Sequence, residues 1–211
     1  MQVPATWLIM LCLVLAAVPA TGQFLYEDGP VNGTTDAWTI NFGYIVSNTF
    51  TLTGSATVGG FDIYTWEYPG DKALTVDWSV TSGEFGGTTY GSGTASLSDQ
   101  FLSENQYGFN IDKLTASNLN LNLGAGTYWL NLQNAVTEMG NPLYWDENSG
   151  AGCHSQGCPS EVSENDVGTI PPESFDVTGT YGTGATPESG SILLFGSGIL
   201  ALGGWVGRKL F

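Results

Sequence analysis

The chain has 211 residues, and 20 Asp and Glu against 4 Lys and Arg leave a formal net charge of −16. Such a surface excludes nucleic acid as a partner, since phosphate binding needs clustered Lys and Arg. It favours cations instead.

Residues 1–22, MQVPATWLIMLCLVLAAVPATG, carry an apolar run from Trp7 to Val18 followed by small residues at Ala20 and Gly22. An apolar segment of about a dozen residues ahead of a small-x-small site has the form of a secretory signal peptide and is too short to span a bilayer. Cleavage is expected after Ala20 or Gly22. No Lys or Arg precedes the apolar run, so only the amino terminus supplies positive charge there. Cys12 would leave with the peptide.

Residues 23–185 are long enough for one domain with a real core. Nineteen of the acids fall here, against only Lys72 and Lys113. An acidic exterior keeps an exported protein soluble and apart from its neighbours. Long helix-forming runs are absent, and β-branched and aromatic residues recur between turn residues, which predicts strands throughout. Residues 50–53 run on to Ala56 and Val58, and Gly59-Gly60 reads as the turn of a hairpin into residues 61–66. In residues 74–81 apolar and polar side chains alternate strictly, as in a half-buried strand. Residues 88–97 form a strand rich in Gly, Ser and Thr, expected at an edge or with a bulge. Residues 107–114 and 119–123 follow, and Gly124-Ala125-Gly126 reads as the turn of a second hairpin into residues 127–134, where Tyr128, Leu130 and Leu132 share a face. Phe175 and Val177 close the set. Eight or nine strands without helices predict an all-β antiparallel two-sheet sandwich, jelly-roll-like, with an immunoglobulin-like sandwich as the alternative.

Residues 138–172 lose the alternation after Trp145 and read as a long ordered loop. Within it Cys153 and Cys158 enclose His154, and in an exported chain two such cysteines are expected to form a disulfide. A zinc site with His154 as third ligand is the rival, but the spacing fits no common zinc motif. His154 is the only histidine of the chain, with no serine-elbow pattern nearby. The segment Tyr144, Trp145, Asp146, Glu147 and Asn148 sets two aromatics beside two carboxylates and an amide, and Trp66 extends the set. Aromatic faces stack on sugar rings, and such acids and amides bond hydroxyls or ligate calcium. Calcium is the one cofactor that composition allows, and no metal ligand set is defined. The expected role is non-catalytic, as a structural or adhesive matrix component or a carbohydrate-binding module. The alternative is a secreted glycan-active hydrolase using loop carboxylates near Asp146 and Glu147.

The tail, residues 186–211, reads TPESGSILLFGSGILALGGWVGRKLF. Pro187, Glu188 and Ser189 open it, an uncharged run follows to Gly207, and Arg208 and Lys209 close it. At about 1.5 Å per residue the run just spans a bilayer core as a transmembrane helix, while Gly196, Gly198, Gly203, Gly204 and Gly207 weaken it as an anchor. Basic residues on its far side would stay cytoplasmic. These residues resemble the PEP-CTERM sorting signal of Gram-negative bacteria, from which they depart at Ser189, where the motif has a second proline. The resemblance implies an exosortase-type membrane enzyme as processing partner. It also implies delivery to the cell surface or the extracellular polysaccharide matrix after brief membrane anchoring.

Overall fold

The computed structural model describes residues 23–148 and 162–182. The expected signal peptide, the Cys153 and Cys158 pair and the sorting tail with its membrane helix lie outside the described residues. Among those described, no helix is long and apolar enough to cross a membrane.

The described residues form twelve strands and no helix: β1 (Gln23–Asp28), β2 (Ala37–Thr39), β3 (Ile45–Leu52), β4 (Ala56–Glu67), β5 (Ala73–Gly83), β6 (Gly86–Glu104), β7 (Asn110–Leu123), β8 (Gly126–Thr137), β9 (Tyr144–Asp146), β10 (Val162–Glu164), β11 (Gly168–Thr169) and β12 (Phe175–Tyr181). All pair antiparallel, in the order β1-β12-β4-β7-β6-β5-β8-β3-β10-β11, and β9 links β2 to β4. The fold is thus all-β, as the sequence predicts.

One strand gives the sheet its shape. Along Gly86–Ser96 β6 pairs with β5, and from Leu97 to Glu104 it pairs with β7 instead. Each half is therefore hydrogen-bonded on one side only, and the sheet curls there into a half-barrel. Of the two expectations for residues 88–97, the bulge holds, since the register with β5 shifts near Thr81, while the strand itself lies between β5 and β7 in the sheet order. On the other side β7 leaves β6 after Ala116 but follows β4 to Leu123. Asn118 and Asn120 bend it there with φ of 65° and 54°, a region that Asn tolerates better than most residues.

Apolar alternation fills the space between the two halves. Val46, Phe50, Leu52, Leu130 and Leu132 from one half meet Val58, Phe61, Ile63, Leu114 and Val177 from the other in one cluster, all buried. Tyr26 of β1 bridges the halves, its ring 6.2 Å from Phe50 and 5.5 Å from Phe175.

Both expected hairpins are absent. β3 pairs with β8 and β10, not with β4, and β7 and β8 lie in opposite halves, so Gly124-Ala125 crosses between layers. Gly59 and Gly60 sit inside β4, at a register shift against β7. Glycine is needed at one of them for close approach: a Cβ on Gly60 would stand 2.2 Å from the Ala116 carbonyl oxygen, whereas one on Gly59 meets nothing nearer than 3.8 Å. The loop expected over residues 138–172 contains the short strands β9, β10 and β11.

The glycine pair separates a strand from a turn by experiment. Gly60→Ala is expected to cost about 3 kcal/mol in urea unfolding, because a backbone oxygen cannot yield, and Gly59→Ala less than about 1 kcal/mol.

Candidate functional site

The residues singled out in the sequence meet at one end of β4, on two sides of it. Beyond the end of β12, β9 takes over as the neighbour of β4: Trp145 pairs with Thr65 and Tyr144 with Trp66. Side chains alternate across a strand, so Tyr144 and Trp66 face outward while Trp145 turns into the core.

Trp145 is fully buried. Its ring meets Phe175 edge-on at 5.5 Å, and its Nε1 donates to the Ser174 carbonyl at 2.9 Å. It has no face to offer a sugar.

On the outer side an aromatic cluster forms. Tyr107 stacks on Trp66 with centroids 5.6 Å apart and planes at 26°. Phe109 touches Trp66, Tyr68 and Tyr144, the last two edge-on at 5.0 and 5.8 Å. Burial first, and then the Tyr68 hydroxyl, push the Tyr144 hydroxyl up to about 12, so it stays a neutral donor. Tyr107 is 58% exposed and Tyr68 37%, so the cluster presents ring surface to solvent.

This surface is held rigidly. In the turn between β6 and β7 the Asn105 carboxamide oxygen accepts from the Tyr107 and Phe109 amides, each at 3.0 Å. Gly108 takes φ 81° there, which only Gly enters at no steric cost. The Asn105 Nδ2 is buried without a partner. Beneath, the Asp146 carboxylate accepts from the Asn32 and Gly33 amides at 2.8 Å and from Trp66 Nε1. Burial still pushes Asp146 up, against these hydrogen bonds. Asp146 is fully buried and both its oxygens are engaged, so it has no open path to a substrate.

Glu147 and Asn148 belong to a second, acidic centre below. The Asn148 amide group donates to the Asp28 carboxylate at 3.1 Å and to the Glu173 carbonyl at 3.3 Å, while Asn48 donates to the other Asp28 oxygen and accepts from the Glu173 amide, both at 3.0 Å. Trp38 Nε1 reaches Glu147 at 3.4 Å. Glu173 itself is fully buried, and neither carboxyl oxygen has a hydrogen-bond partner. Burial first, then the charges of Glu147, Asp146, Asp28 and Asp36, hold its carboxyl well above the usual range.

The sequence therefore brings Trp66, Tyr144 and Asp146 into one arrangement and sends Trp145, Glu147 and Asn148 elsewhere. Tyr107, Phe109 and Glu173 enter unannounced, while Tyr68, two residues after Trp66, extends the surface as its position beside that tryptophan suggests. No family model matches the chain, and no curated protein matches it significantly.

The buried acids with raised values give the domain one direction of pH dependence between about pH 5 and pH 8. Burial, then Asp99 and Asp112, raise Glu67 to about 8, and burial, then Asp99, raises Asp112 to about 6. A carboxyl with a folded pKa above its unfolded value, about 4.3 for Glu and about 3.9 for Asp, binds its proton better in the folded chain. Its contribution is complete below that unfolded value and is lost as pH climbs to the folded one. The melting temperature is therefore expected to fall between about pH 5 and pH 8. Glu173→Gln removes one such group and offers an amide to the surrounding acceptors, relieving about 1–2 kcal/mol. Calorimetry should find it melting about 3–6 °C above wild type at pH 8, with the gap narrowing towards pH 5.

Proposed function

We propose that this protein is exported and delivered to the cell surface or extracellular matrix through its PEP-CTERM-like tail, with an exosortase-type enzyme as processing partner. Its folded part is then a jelly-roll-like sandwich that works as a non-catalytic module binding extracellular polysaccharide. The observation that carries the binding reading is the exposed ring of Tyr107, stacked on the buried Trp66. A flat, pre-ordered ring surface suits the apolar face of a sugar ring, and its rigidity lowers the entropy lost on binding. Polar groups at the rim, among them Gln106 and Glu104, are suited to bonding sugar hydroxyls.

Two measurements test this reading separately. Tyr107→Ala in the full chain should weaken binding to the producing cell's own polysaccharide by about tenfold or more, as expected for loss of one stacking face worth ~1.5 kcal/mol, while the melting temperature changes little. Binding at wild-type strength in this variant would refute the platform. For delivery, Arg208→Ala with Lys209→Ala should leave the protein poorly retained or unprocessed in a fractionation assay, because the positive charge that fixes helix orientation is gone. Normal surface delivery of that double variant would remove the sorting reading and leave the platform untouched.

A further inference from the structure

We propose that Glu67, Asp99 and Asp112 form a binding site for a divalent cation of the calcium type, on the inner face of the half-barrel. This site is independent of the aromatic platform and of the acidic centre around Glu173.

The register brings the three together. Asp112 of β7 pairs with Thr65 of β4, one inward position before Glu67, and Asp99 of β6 pairs with Leu114, one inward position beyond Asp112. The carboxylates thus run diagonally across three adjacent strands on one face. One oxygen from each lies within 4.8 Å of the others. Two ligands on opposite sides of a calcium ion, each at about 2.4 Å, stand about 4.8 Å apart, so the set can close on such an ion with little movement.

The second observation is Glu67 itself. It is 2% exposed, yet only one of its oxygens is satisfied: Oε2 accepts from the Ala73 amide at 3.2 Å, while the buried Oε1 has no hydrogen-bond partner. An unsatisfied buried acceptor is costly and calls for a partner. The groups around it are further acids, Asp99, Asp112 and Asp71, none of which can donate when ionised. Lys72 is the basic side chain whose charge reaches the cluster, and it acts on Asp99. A hard cation supplies what the site lacks, and calcium accepts six to eight oxygens, the remainder from water. Access exists, because Asp99 is half-buried and Phe101, on the same face of β6, is 59% exposed.

The test is the melting temperature of the purified full chain in EDTA and in about 10 mM calcium, a concentration that saturates typical extracellular sites. Wild type should gain about 3–8 °C from calcium, and magnesium should give less. Asp112→Asn and Asp99→Asn, which keep shape and remove charge, should fold and lose that gain, whereas Glu173→Gln should keep it. Asp99→Asn on the exposed strand covers the case in which the buried variant misfolds. A wild-type chain unmoved by calcium overturns the proposal. So does a gain kept in full by both Asn variants, which would put the ion elsewhere.

Discussion

The Asp146 carboxylate ties together three parts of the chain far apart in sequence. Its acceptor positions take the amides of Asn32 and Gly33 in the loop after β1, and the indole N–H of Trp66 near the end of β4. Charge-assisted hydrogen bonds of this kind are roughly twice as strong as neutral ones, and here they are shielded from water. Gly33 fits only because it lacks a side chain: a Cβ would stand 3.1 Å from Ile111, at a φ of 66°. With the loop pinned and Trp66 oriented, Tyr107 has a fixed ring to stack on, and Gln106 reaches across to the Thr34 carbonyl. The outer surface of this end of the molecule thus depends on one buried acid.

That dependence belongs to a wider pattern, in which a chain nearly free of basic residues must place acids inside. The one ion pair among the described residues is Lys113 with Asp62, at 2.7 Å. Elsewhere acids settle by accepting N–H groups, as Asp71 does. Burial pushes Asp71 up, but the amides of Met139 and Lys72 and the Asn141 side chain together hold it below its ordinary value. Where such donors are missing, as at Glu173 and at one oxygen of Glu67, the remaining solutions are a proton or a metal ion. Domain stability is then linked to pH and to cations.

The sequence made the strands legible wherever a face was buried on one side only. Tyr128, Leu130 and Leu132 line the core as their alternation predicts. Pairing was not legible, because alternation fixes which face a residue takes and leaves the neighbouring strand open. Two adjacent strands joined by Gly-rich residues read as a hairpin, yet β7 and β8 separate into opposite layers. Gly60 read as a turn for the same reason: a glycine demanded by a passing carbonyl has the same letter as one demanded by φ. At the site, Trp66 and Tyr144 were visible as aromatics beside acids. Tyr107 and Phe109 were not, since they lie in a tight turn whose contacts come from the loop across from it. Glu173 follows Pro171-Pro172 in a stretch without alternation, and its burial is wholly tertiary. Glu67 did carry a signal: it continues the inward row of Phe61, Ile63 and Thr65, where a carboxylate is out of place in a purely structural strand.

Trp66 and Glu67 are consecutive, and the two-residue period of β4 sends one outward and the other inward. A single strand end thus supports the aromatic platform on one face and the acidic triad on the other, with a backbone between them already fixed by β7 and β9. Substitutions at Tyr107 and at Asp112 share no side-chain partner among the described contacts, so their effects should add. What the two sites do share is the strand. With both neighbouring strands already paired to it, that strand end can change on one face without shifting the register of the other.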